Sequence, residues 1–477
     1  MRFAVVEGFD TGTGSMQLGG TAGSHRYDPG DMNHLLLCST LLLSSVCAPS
    51  QDPGTRASAP TSRDWSNFRG PEGTGVAPDS NPPTQWSEEK NIRWKVQVPG
   101  FSHASPIVLD DRIYLMTAID TGKEAESTAL EAYNAKSKPL PTSIHQYRIL
   151  ALERRNGDVA WDTLVKEVVP HEGGHRSNSL ISSSPVTDGE HIYANFGSHG
   201  LYCLSLDGEI EWSVDLGKMR TRYQYGEGSS PTVHGDRLIV NCDQEGDSFI
   251  ATFNKHTGEE LWRRSRDEAT TWGTPIVATV EGRPQIVING FRASRGYDLQ
   301  EGELLWTLPG LTELCIPTPI HAGGVVYLMT GYPESALQVV RLAGSKGDLT
   351  DSENVLWSHS RNASYVSSPV LYGNHLYFIR LVNGVLSCLD ARTGEVQYEG
   401  QRLGVRTVIS SLVAASDRLY VTSQAGVTKV IKVGPSFEEL ASNELEDTFN
   451  SSPAIAGDEI YLRGGEFLYC IAELSNQ

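Results

Sequence analysis

The sequence lacks adjacent cysteines, a CxxC pair, a long Lys/Arg run, and any apolar stretch of comfortable bilayer-spanning length. Each absence removes a class of protein. Without CxxC, neither a zinc ribbon nor a thioredoxin-type redox pair is indicated. Of the seven cysteines, Cys203, Cys242, Cys388 and Cys470 sit in LYCL, VNCD, LSCL and LYCI, apolar strand contexts that predict buried free thiols, and no disulfide framework is visible. A formal charge of −19 without a basic cluster excludes nucleic acid or an anionic membrane surface as the main partner. No GxSxG elbow occurs, and TGTG near the N-terminus neither follows a strand nor opens a helix. His171 and His175 flank EGG, but the glycines and the missing helical pattern separate HEGGH from a helical zinc motif.

What is present begins with an apolar run from His34 to Ala48, too short and too Ser-rich for a transmembrane helix but suited to a signal-peptide core. Met32 stands two residues before His34 and reads as the true start. The expected organisation is therefore a leader over 1–31, a signal-like segment over 32–48, a linker over 49–85 and one folded region over 86–477. Export to the periplasm or cell envelope follows, with no integral span in the mature chain.

The folded region is built of repeats. Each unit opens with a small-small-Pro triplet and an apolar strand. A Gly/Asp turn, two further strands, a Thr-Gly-Glu turn and a Trp-bearing strand follow. SSSPVTDGEHIYANFGSHGLYCLSLDGEIEW (182–212) and GSSPTVHGDRLIVNCDQEGDSFIATFNKHTGEELW (228–262) are two copies. The triplets fall at Pro106, Pro185, Pro231, Pro275, Pro319, Pro369, Leu412 and Pro453, roughly 40–50 residues apart after a longer first interval. That interval is lengthened by a polar insertion from Ile119 to Gln146, in which ALEAYNAK has helical character. Period-two runs separated by DG, GD and TG turns are hairpin chemistry, and four strands per repeat of this length describe a propeller blade. The expected fold is an all-β, eight-bladed β-propeller of four-stranded antiparallel blades. The last unit, 450–474, has three strands only. Its missing Trp strand is NIRWKV, Asn91 to Val96, so an N-terminal strand is expected to complete the last blade and remove two open edges. Trp94, Trp161, Trp212, Trp262, Trp306 and Trp357 are expected to pack between blades, each indole N–H meeting a backbone acceptor.

FNKHTGEELW and CLDARTGEVQY resemble the docking motif of PQQ-type quinoprotein propellers. Residues 86–477 as a whole resemble the exported PQQ-like β-propeller repeat proteins, a group that includes the outer-membrane assembly lipoprotein BamB. The leader DWSNFRGPEGTG (64–75), the block 225–249 and NSSPAIAGDEIYLRGG are similar to a planctomycete-type subgroup. The resemblance implies a monomeric binding or scaffold module of the envelope, probing an envelope protein or a small polar ligand. Its enzymatic alternative is a quinoprotein dehydrogenase of alcohols or sugars, with PQQ and calcium as cofactors. That branch characteristically carries a vicinal disulfide, a Trp floor and a Glu/Asn/Asp calcium set, and the sequence has no adjacent cysteines.

Loops that precede the triplets converge on one mouth of a propeller channel, where ligands are met. They offer His103, His175, Arg176, Asn178, Arg222, Tyr225, Glu227, Trp272, Tyr365 and Arg406 as ligand-binding candidates. Arginines in such a ring suit an anionic or polyhydroxylated ligand, and Glu227 with His103 or His175 suits acid–base work. No catalytic residue and no metal ligand is assigned.

Overall fold

The computed structural model describes residues 59–126, 141–175 and 178–474. The leader, the signal-like segment, the start of the 49–85 linker, ALEAYNAK and Arg176 lie outside the described residues. Among the described residues the strands form eight sheets, seven of four strands and one of five. All neighbouring pairs are antiparallel except one, the two-residue strand Gly347–Asp348 added parallel to Leu304–Leu308 in blade 4. The first strands, from Ile107–Leu109 in blade 1 to Ala454–Ala456 in blade 8, line a central channel.

The period-two pattern survives best on the outermost strands. Phe249–Asn254, third in blade 3, is buried along almost its whole length, whereas on the outer Glu260–Ser265 only Trp262 is buried. Inner strands are covered on both faces by the neighbouring blades, so both faces are apolar and alternation fades. The thiols of Cys203, Cys242, Cys315, Cys388 and Cys470 are free and buried, as four of these contexts predicted.

The tryptophans join one blade to the next. Trp94, Trp161, Trp212 and Trp262 donate their indole N–H to the carbonyls of Arg154, Leu206, Lys255 and Leu299, at 2.8 to 3.1 Å. Each ring lies on a glycine of the next blade's turn; a Cβ on Gly258, whose φ is +72°, would stand 2.7 Å from the Trp212 ring. Trp306 and Trp357 depart from the expectation. Trp306 bonds Gln285 Oε1 within its own blade, at 2.8 Å, because the extra strand at Gly347 covers it. Trp357 keeps the ring-on-glycine contact at Gly394, but its N–H has no partner among the described residues.

Two devices run across the seam where the ring meets itself. Ile92–Gln97 pairs antiparallel with Phe467–Ala472, with Trp94 opposite Cys470 and Val96 opposite Leu468. The second is a belt of hydroxyls. The residue before each triplet proline, or before Leu412, is Ser or Thr, and its oxygen accepts the backbone N–H of its counterpart in the preceding blade. The order runs Ser105, Ser184, Ser230, Thr274, Thr318, Ser368, Ser411, Ser452 and back to Ser105, at 2.8 to 3.3 Å. Small residues are needed here for close approach, and a hydroxyl is needed to satisfy a buried N–H.

Residues 61–85, within the stretch expected as linker, pack on the ring. Trp65 is fully buried and exchanges two backbone bonds of 2.9 Å with Val108 of blade 1. The Ser66 carbonyl accepts from Thr187 N of blade 2 at 2.9 Å, and Ala77 N and Gly75 O pair with Ala414 of blade 7. Between these anchors Arg69 donates to Pro369 O of blade 6 at 2.8 Å. The chain then follows blade 7, where Trp86 stacks on Tyr420, before entering the Ile92–Gln97 strand. The segment is thus a strap inside the lower half of the channel, lower meaning away from the end at which the first strands begin.

Candidate functional site

Above the strap the channel is a cavity of about 380 Å³. Phe68, carried on the strap, lines both this cavity and the smaller one of about 200 Å³ below it, so its ring stands at the partition between them. The walls of the upper cavity include belt hydroxyls (Ser105, Thr318, Ser368, Ser411, Ser452), apolar Ile316, Val366, Val382 and Ile409, and a polar and aromatic rim.

His103, Asn178, Tyr225, Trp272 and Tyr365, all expected at the mouth, line it. His103 and Asn178 belong to a hydrogen-bonded chain that crosses the seam. Gln424 Nε2 donates to Asn450 Oδ1 at 2.8 Å, and Asn450 Nδ2 to His103 Nε2 at 2.9 Å. His103 Nδ1 stands 3.2 Å from Asn178 Oδ1, which also accepts from Ser182 Oγ at 3.0 Å. With Asn450 donating to Nε2, the proton belongs on Nδ1. Burial pushes the His103 imidazole down to about 4. It is therefore neutral with both nitrogens engaged, a poor general base.

Trp272 is held rigidly. Its indole donates to Gly226 O at 2.7 Å, and its loop rests on a fully buried ion pair in which Arg266 Nε meets Asp243 Oδ1 at 2.7 Å. Asp243 also accepts from Thr271 Oγ1 at 2.5 Å, next to Trp272. Tyr225 meets the Trp272 ring edge-on at 6.1 Å between centroids, and His175 lies 4.7 Å from Tyr225. Tyr365 stacks at 5.1 Å with Tyr332, and burial raises its phenol to about 12.

The remaining candidates stand elsewhere. Arg222 is on the rim, paired with Glu313 at 3.0 Å, and Arg406 is exposed outside the lining. Glu227 turns between blades, accepting from Ser198 N at 3.1 Å and from the Ser198 hydroxyl, 3.6 Å from His171 Nε2. It is not at the His103 imidazole, so that acid–base pair is not assembled. Sequence reading missed Asn450, Ser182 and the strap's Phe68; DTFNSSP and SLISSSP held the signal for the first two.

Among the described lining residues none is charged. This donor set does not fit PQQ with calcium: the quinone is a tricarboxylate that needs cationic partners, and calcium needs carboxylate oxygens. The cavity offers amides, hydroxyls, an imidazole and aromatic rings.

Neutral buried histidines make stability pH-dependent. His103 at about 4 and His199, lowered by burial to about 3, both lie below the unfolded value of 6.5. Above pH 6.5 neither state is protonated and nothing is lost. As pH falls below 6.5 the unfolded chain takes up protons that the folded chain refuses, so stability drops, by about 2 kcal/mol per histidine at pH 5. Urea midpoints between pH 7 and 5 should fall accordingly. His103→Gln, which keeps a donor and an acceptor, should remove one proton's share of that slope; an unchanged slope would contradict the assignment.

A family model described as "Outer membrane protein assembly factor BamB" matches residues 145–399 and 246–472. No curated protein sequence matches the chain. Among solved structures, BamB from Moraxella catarrhalis is 12% identical, covering 76% of this chain and 99% of its own, with a TM-score of 0.49. The designed protein Ika8 is also 12% identical, covering 78% and 100%, with a TM-score of 0.49. The quinohemoprotein alcohol dehydrogenase ADHIIG from Pseudomonas putida HK5 is 10% identical, covering 87% and 82%, with a TM-score of 0.50. At 10% identity the likeness to the last of these speaks for the propeller fold alone.

Proposed function

The chain belongs to the BamB family of PQQ-like propellers, and from that premise we propose that it is an exported, non-catalytic binding module of the cell envelope whose working end is the upper mouth. The observation that carries the reading is where backbone strain is stored. Tyr223, Gln224, Leu314, Leu381 and Thr407 hold positive φ between 48° and 59° in upper loops. Side chains of that size, and a β-branched one above all, are disfavoured there. Non-glycine residues with positive φ in the lower hairpins are Asp110, Glu281, Ser416 and Asp417, mostly ordinary turn formers. Such strain persists where the surroundings enforce it, characteristically at binding sites. Half-exposed Phe101, Tyr223 and Tyr332 on the same face add contact area.

The signal-like segment 32–48 supports export, and no described helix is long and apolar enough to cross a membrane. Photo-cross-linking in cells tests the reading. A reactive residue at Tyr332 should give discrete adducts with envelope proteins, identified by mass spectrometry, whereas one at Asp236 on a lower turn should not. Adducts from Asp236 alone would overturn the assignment of the working end. PQQ- and calcium-dependent oxidation of an alcohol or sugar panel would overturn its non-catalytic part.

A further inference from the structure

We infer that the upper cavity takes the neutral, hydroxyl-rich end of a glycan chain; the inference rests on the upper mouth being the binding end. Shape comes first. Phe68 and the strap stand across the channel below the cavity, so it suits a chain end or a small molecule better than a chain passing through. Charge narrows the class. An entering peptide end brings an ionised amine or carboxylate, and burying either without a partner is costly. Among the described residues no lining side chain is charged; Arg463, whose charge is felt at His103, lies buried outside the lining.

The polar groups then point to hydroxyls. Each belt oxygen already accepts a backbone N–H, while among the described residues none of the belt hydroxyls has a protein acceptor for its own hydrogen. The cavity wall is thus rich in uncommitted O–H donors, matched by ligand hydroxyl and ring oxygens that both accept and donate. The rim supplies flat apolar surface. Trp272 has spent its N–H on Gly226, leaving ring surface for a sugar face, and the Tyr365 hydroxyl has no protein partner among the described residues.

Saturation-transfer NMR on the full mature chain with maltotriose, cellotriose and N,N′-diacetylchitobiose tests this, with digalacturonate as the charged counterpart. At least one neutral saccharide should bind. Trp272→Ala should weaken it about tenfold or more, and Tyr365→Phe, which keeps the ring and removes only the free hydroxyl, several-fold. No binding of any neutral saccharide at millimolar concentration, equal or tighter binding of digalacturonate, or unchanged binding in both variants would overturn the inference. Rim adducts from Tyr332 without saccharide binding would sink this inference and leave the binding-module reading standing; saccharide binding without rim adducts would remove the protein-docking part of that reading alone.

Discussion

Deleting residues 91–98 should abolish cooperative folding. The segment supplies the whole outer strand of blade 8, and three consequences follow from its loss. The edge of Phe467–Ala472, now paired through Trp94, Lys95, Val96 and Gln97, is left with free N–H and C=O groups. Leu468, Cys470 and Ile471, all fully buried, lose a neighbour, and the core around Trp94, Val98, Ile92 and Val96 opens. Gly157 of blade 1 loses the indole that covers it, and Arg154 O loses its 3.0 Å bond from Trp94. Burying the four apolar side chains is worth on the order of 10 kcal/mol, comparable with the net stability of a whole domain. The deletion protein should elute as aggregate and show no sharp thermal transition. A monomeric variant melting within a few degrees of the parent would contradict this. A rearranged chain separates loss of the strand from loss of composition. Ile92 stands opposite Ile471, and Leu474 N donates to Asn91 Oδ1 at 3.2 Å. Residues 91–98 joined behind Leu474 by a short turn should therefore restore the blade.

Closure was legible because a repeat makes a missing piece visible: 450–474 has no Trp strand, and NIRWKV has no unit of its own. The unit at 409–426 is instructive for the opposite reason. Leu412 replaces the triplet proline, yet Ser411 keeps its place in the belt, accepting Ser368 N at 3.0 Å. The invariant of the repeat is thus the hydroxyl before the proline position, a role carried by pairs of residues in adjacent units. At the site, five of the expected residues line the cavity from loops that precede the triplets, since a triplet fixes where its own loop ends. Glu227 and Arg222 stand outside the cavity lining because direction along a loop is set by local partners, Ser198 for one and Glu313 for the other. The strap was read as linker because DWSNFRGPEGTG has no periodicity and no counterpart among the repeats. Its burial depends on an empty channel that only the assembled ring creates.

That dependence makes Trp65 the most sensitive residue outside the repeats. Trp65→Ala should cost about 3–5 kcal/mol, the range for removing a large aromatic from a packed core. The ring is fully buried, in the same cluster as Trp86, Trp94, Val108 and Val413. Gly70 packs under it with φ of +78°, where a Cβ would fall 2.7 Å from the indole, so the strap bends around this ring. Urea unfolding should show the lost midpoint. Hydrogen exchange should show where the loss begins, with faster exchange at Trp65, Ala77 and Ala414, whose amides form the strap-to-ring bonds. Trp65→Phe should behave very differently. The indole nitrogen is buried without a partner among the described residues, and leaving such a donor unpaired costs about 1–3 kcal/mol. Phe removes that donor along with part of the ring, so the two effects oppose and the net change should be small. If Ala costs under 1 kcal/mol, or if exchange accelerates evenly over the blades, Trp65 is not the anchor of the strap. If Phe is as damaging as Ala, the contact depends on the full width of the indole, and the donor's missing partner contributes little to the balance.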